Sequence, residues 1–146
     1  MAVTIGEFYR RLDGLKGFIL REIGEIMERN ASVTEEMQRK RLSEGKNIRE
    51  KIIQKGYSPG YAKQRKRRGL QTNYVDLNFT GEFYKSLELV PEADFGSFDI
   101  ISDVDYAPHI FNRYAEIMGL NKGQIKELKS IVLKELKPAI RKYLVG

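Results

Sequence analysis

The stretch Val75-Asp-Leu-Asn-Phe-Thr-Gly-Glu-Phe-Tyr-Lys-Ser-Leu87 decides the fold class, because its periodicity changes half-way along. Val75, Leu77 and Phe79 alternate with Asp76 and Asn78, the pattern of a strand with one buried face. From Thr80 the spacing turns helical. Phe83 and Leu87 lie one turn apart on a single face, and Thr80 is placed to cap the turn. Gly81 provides an unusual backbone angle or a close approach between strand and turn. A strand running into a helix within so few residues predicts an α+β fold.

Downstream, residues 87–90 and 98–104 read as two strands around a loop holding Pro91, Asp94 and Gly96, most simply an antiparallel hairpin. Helix resumes with Asp105 as N-cap and Pro108 in the first turn; Ile110, Phe111, Tyr114, Ala115 and Met118 share a face, and Gly119 ends it. A last helix is predicted from about residue 122 to 144, with a stripe through Ile125, Leu128, Ile131 or Val132, Leu136, Ile140 and Tyr143 or Leu144, and a kink at Pro138.

Upstream, Ile5, Phe8, Leu12, Leu15, Ile19, Ile23 and Ile26 recur every three or four residues, predicting one helix that Thr4 and Glu7 start as a capping box and Asn30 stops. Gly14, Gly17 and Gly24 lie inside it, either for close packing or simply tolerated. A second helix is predicted from Thr34, with Glu35 and Glu36 in its first turn, to just before Gly45. Between residues 46 and 69 apolar periodicity fails, which predicts a long excursion, partly extended around Ile52 and Ile53. The core prediction is Phe8, Leu12, Leu15, Ile19, Leu77, Phe79, Phe83, Leu87, Ile110, Phe111, Leu128 and Ile131. One domain follows: a helical N-terminus (1–45), a basic excursion (46–74), a sheet region (75–104) and C-terminal helices (105–146). Its architecture is a long N-terminal helix and two C-terminal helices packed on a small, mainly antiparallel sheet.

The 146 residues suit one domain that needs no staple. With no Cys there is no thiolate nucleophile, disulfide or Cys-based zinc site, and a single His argues against a metal cage or a His-based triad. No apolar run approaches the roughly 20 residues of a membrane span, so a soluble, intracellular product without membrane partners is expected. The net charge of +6 is unevenly laid out. Residues 1–73 carry a net +8 and residues 76–105 a net −7, with Lys85 the one base in the latter stretch. Blocks of opposite sign in one small domain point to a charged partner or to another copy of the chain.

No catalytic constellation emerges. His109 reads as a structural or surface residue, the acids follow no EF-hand spacing, and Gly-Tyr-Ser-Pro-Gly at 56–60 is turn punctuation rather than a phosphate loop. The strongest local signal is Lys63, Arg65, Lys66, Arg67 and Arg68, flanked by Tyr57, Tyr61 and Tyr74. Cations among aromatics suit nucleic acid, since guanidinium groups hold phosphates and rings stack on bases. A solvated loop and an acidic protein partner explain the same residues equally well. The complementary acids are Glu88, Glu92, Asp94, Asp99 and Asp103.

The run 75–87 also resembles the L-x-x-T-G-x-L/F-x-x-S signature of phage head–tail joining proteins, the tail-completion, neck or virion-morphogenesis family, with Thr80, Gly81 and Ser86 at its fixed positions. Tyr106 and Ala107 stand where that family has a Y-A-x-x-H/I stretch after a hairpin, and Tyr57-Ser-Pro-Gly-Tyr-Ala-Lys63 is similar to its Y-S-x-x-Y-A-x-x-K segment. The likeness covers residues 42–146; the family's glycine after the Tyr-Ala stretch has no counterpart before Gly119. It implies a non-enzymatic structural protein of the virion, assembled in the host cytoplasm, without cofactor or metal. Its implied partners are copies of itself in a ring and phage connector, stopper or tail proteins, close to packaged DNA. The alternative is a small basic nucleic-acid-binding protein using the 63–68 cluster.

Overall fold

The computed structural model describes residues 2–92 and 97–146, and among these the α+β class holds. In chain order the elements are α1 (Ile5–Asp13), α2 (Leu15–Arg29), α3 (Ala31–Ser43), α4 (Pro59–Arg67), α5 (Glu82–Ser86), β1 (Glu88–Pro91), β2 (Phe98–Ile101), α6 (Ala107–Arg113) and α7 (Lys122–Val145). The strands form an antiparallel hairpin in the register Glu88 opposite Ile101 and Leu89 opposite Ile100.

The predicted N-terminal helix is two helices. Thr4 and Glu7 form the capping box, but the helix breaks at Gly14 before resuming as α2 and ending at Asn30. α7 passes close to the break: a Cβ at Gly14 would lie 2.5 Å from the Tyr143 hydroxyl. Beside it Phe18 and Tyr143 stack at 4.2 Å, and Arg11 donates to the Tyr143 carbonyl at 3.0 Å. At the other end of the same contact, Asn30 Nδ2 donates to Glu135 at 2.7 Å. At 24 residues, α7 is about 36 Å long, so α1 and α2 lie against it as an arm. Pro138 lies inside α7 without ending it. An arm two helices thick has no third layer to cover both faces. This is why Leu12 is exposed, while Phe8, Leu15, Ile19, Leu128 and Ile131 are half-buried rather than core residues.

The core proper gathers Leu42, Phe83, Leu87, Ile100, Ala107 and Ile117 where α3, α5, the hairpin and the chain after α6 meet. Of the predicted core only Phe83 and Leu87 are fully buried; Leu77, Phe79 and Ile110 are half-buried and Phe111 is exposed. α3 begins at Ala31 rather than Thr34, so Glu35 and Glu36 fall outside its first turn. Glu35 accepts the Leu89 N–H from the edge of β1 instead. α6 is shorter than its apolar face suggests. Tyr106, not Asp105, is its N-cap, and it stops at Arg113. The turn that follows is held by α3: Arg41, 2 % exposed, donates to the carbonyls of Ile117 and Gly119 at 2.7 and 2.8 Å, and Gln38 bonds both residues' backbone. Burial draws the Arg41 guanidinium down to about 10, still protonated at neutral pH.

Two expectations for the middle of the chain need correction. The excursion is extended at Ile52, which bridges to Lys46, and again at Lys55 opposite Tyr74, but it also contains a helix, α4, that carries most of the basic cluster. Residues 75–79 are not a strand. Leu77 has φ +59°, and Val75 and Asp76 are both buried in succession, so the apparent alternation does not separate two faces.

Candidate functional site

The reason for that irregular backbone is Arg65. Pro59 opens α4 near its first turn, and Tyr61 and Arg65, four residues apart, then share its inner face. Arg65 is 1 % exposed. Its guanidinium donates to both carboxylate oxygens of Asp76 at 3.1 and 3.3 Å, to the Asn78 carbonyl at 2.9 Å and to the Gln71 carbonyl at 2.9 Å. It also lies 4.4 Å from the centre of the Tyr57 ring. Asp76 in turn accepts from Gln71, from the Tyr57 hydroxyl and from the Asn78 N–H. Its carbonyl accepts the Tyr84 hydroxyl at 2.5 Å. The chain from 71 to 78 thus wraps a buried cation, and Leu77 takes its left-handed angle between two tethered neighbours. Burial pushes the Tyr57 phenol up to about 12 and moves that of Tyr84 in the same direction.

Arg65 is therefore removed from the surface patch to which its sequence neighbours belong. Lys63, Lys66 and Arg67 remain exposed on the outer side of α4, and Arg68 is exposed at its C-cap. Among the described residues none of these four is in an ion pair, and Arg68 instead covers the Phe79 ring at 4.4 Å. Of the predicted acidic face, Glu88, Glu92, Asp99 and Asp103 are exposed and likewise without an ion-pair partner among the described residues. Asp94 lies outside the described residues.

Three of the motif residues, Thr80, Gly81 and Tyr106, line a groove of about 590 Å³ between α4, the 75–81 segment and α6; Ser86 and Ala107 do not. The N-cap of α5 is Gly81, at φ +85°, rather than Thr80; the Thr80 hydroxyl stands one residue earlier and accepts the Glu82 N–H at 3.3 Å. Both line the groove, as do Tyr57, Tyr61, Phe79 and Tyr106. Tyr106 is exposed and its hydroxyl reaches Glu82 at 3.5 Å; partial burial, and then Glu82, raises its phenol. Ala107 is buried in the core, and Ser86 bonds the Phe83 carbonyl and the Ser102 hydroxyl, tying α5 to the end of the hairpin. His109 and Arg113 are exposed on the groove's α6 wall.

No protein-family model, curated protein or solved structure matches the chain.

Among the described residues no helix is long and apolar enough to cross a membrane, and no three His, Asp or Glu side chains gather as metal ligands. What sequence reasoning missed is the Arg65–Asp76 centre and the groove beside it. One signal was present: Tyr61 and Arg65 at helical spacing place that Arg on an aromatic face rather than with Lys66 and Arg67.

Proposed function

We propose that this chain is a structural protein of a tailed-phage virion, acting at the head–tail interface as a neck or tail-completion component that forms or enters a ring. One observation carries this reading: four exposed cations on α4 and its C-cap and four exposed acids on and after the β-hairpin all lack ion-pair partners within the described chain. Two different patches of opposite sign on one molecule are what a heterologous, head-to-tail interface requires. The resemblance of residues 42–146 to head–tail joining proteins supports the same reading and supplies the other partners, namely connector, stopper or tail proteins. Its function is complementary surface, not catalysis.

Electron microscopy of the purified protein, alone and after mixing with the connector of the same phage, tests the proposal. Rings, or density added to the connector, are expected. A protein that stays monomeric and ignores the connector overturns it. The competing reading, nucleic-acid binding, uses the same four cations; a salt-dependent mobility shift with DNA or RNA, in a protein that does not assemble, would favour it.

A further inference from the structure

The acidic hairpin and the aromatic groove lie on different sides of α6. Residues 99–102 border Phe111 and Tyr114, whereas the groove is walled by His109, Ile110 and Arg113, with Tyr114 shared by both. None of residues 88–92 or 97–103 lines a copy's own groove, so a hairpin entering it would come from a second copy. We infer that the groove receives the β-hairpin of a neighbouring copy, with the apolar side chains of the hairpin on the aromatic floor and its acids against the cationic rim.

Charge decides the occupant. Residues 88–103 carry five acids and no base. The groove's cations are Arg113 on the α6 wall and Arg68, which covers Phe79 on the α4 side; Glu82 is the one exposed acid of its lining. Two of the groove's rings have a face covered by a guanidinium, Arg65 over Tyr57 and Arg68 over Phe79, both at 4.4 Å. Tyr61 and the exposed Tyr106 line the rest of the trough, an aromatic surface that takes apolar side chains. Hydrophobic burial there would hold the contact, while the charges select the partner's acidic segment and its orientation.

This inference rests on the assembly reading, and one experiment separates the two. A photoreactive benzoyl-phenylalanine is placed at His109, whose side chain is exposed, in the full-length chain. Copies carrying it are mixed with isotopically heavy wild-type copies, association is followed by sedimentation, and cross-linked peptides are mapped by mass spectrometry. The expected product joins position 109 of one copy to residues 88–103 of another. If the chain associates but position 109 cross-links elsewhere, the groove assignment is overturned and the assembly reading stands. If the chain neither associates nor cross-links between copies, both fall. If added single-stranded DNA blocks the cross-link and itself becomes attached, the groove belongs to nucleic acid and the hairpin assignment is overturned.

Discussion

Arg65 and Asp76 meet at 3.1 Å inside the protein, and every polar atom of the Arg65 guanidinium is turned to a partner across the 71–78 segment. The pair holds a stretch without regular secondary structure as a positioned wall. It fixes α4 on one side and, through the Tyr84 hydroxyl on the Asp76 carbonyl, α5 on the other. The exposed cations of α4 owe their placement to this one buried member of the same cluster.

Removing one partner should therefore be far worse than removing a surface charge. Arg65→Met leaves the Asp76 carboxylate buried without its cation, and a loss of about 3–5 kcal/mol is expected. Arg65→Lys should not rescue it, because one ammonium cannot serve a carboxylate and two carbonyls set around a planar fork. Urea unfolding of both variants, beside Lys66→Met as the exposed control, checks this. Equal midpoints for the Arg65 and Lys66 variants would contradict the assignment.

Alkaline pH should weaken the same region. The Tyr57 phenol is held protonated up to about 12 in the fold, against an ordinary value of 10.0. An acid raised by folding favours the native state below its unfolded value, so that contribution is complete below pH 10 and fades as the pH climbs from 10 to about 12. Tyr84 shifts in the same direction. Stability measured across this range should fall less steeply in Tyr57→Phe than in the parent chain, even though the variant loses its hydrogen bond to Asp76.

Helices were more legible in the sequence than the segment that carries the site. The capping box at Thr4 and Glu7, the stop at Asn30 and the span of α7 follow from local chemistry, which neighbours in sequence determine. The hairpin was legible for the same reason. Residues 75–79 were not, because their conformation answers to Arg65, ten or more residues away. Alternation there reflects the inward turn of Asp76, not a pleat. The position of the exposed cations was legible only as a cluster; its division into one inward and four outward side chains needed the helix.

Phe79 and Phe83 had equal standing in the core prediction, and the structure separates them. Phe83 is 3 % exposed and touches Phe111 edge-on at 6.5 Å, whereas Phe79 is half-buried under Arg68. Phe83→Ala should cost about 3–5 kcal/mol and Phe79→Ala distinctly less. Thermal melts of the two variants decide the order.

Gly45 ends α3 at φ +70° with the Tyr74 ring against it, so a Cβ would overlap that ring. The Tyr74 hydroxyl is tied to the Ser43 carbonyl at 2.9 Å and cannot swing away without losing it. Gly45→Ala combines backbone strain with overpacking, and a loss of about 1–3 kcal/mol is expected. At Gly60 nothing lies within 4 Å of a Cβ and the backbone angle is ordinary, so Gly60→Ala should be close to neutral. A chemical denaturation curve for each variant tests the contrast.

The assembly proposal makes a prediction that the buried arginine sharpens. Reversing Lys63, Lys66, Arg67 and Arg68 to Glu touches only exposed side chains, so the monomer should keep its circular dichroism spectrum and most of its melting temperature. Reversing Arg65 in the same set would unfold the region and spoil the test. Exposed ion pairs contribute only about 0–1 kcal/mol each, so these charges act mainly on orientation and encounter rate. The four-fold reversal should nevertheless abolish association, because it turns attraction toward the neighbour's acids into repulsion at every contact. Raising the salt should weaken assembly of the parent chain, and a matching reversal of Glu88, Glu92, Asp99 and Asp103 to Lys should restore association to the reversed one. Sedimentation velocity reads all three results. Association that persists in the four-fold variant would show that the α4 cations lie away from the subunit contact, and the lumen of the ring, facing packaged DNA, would become their place.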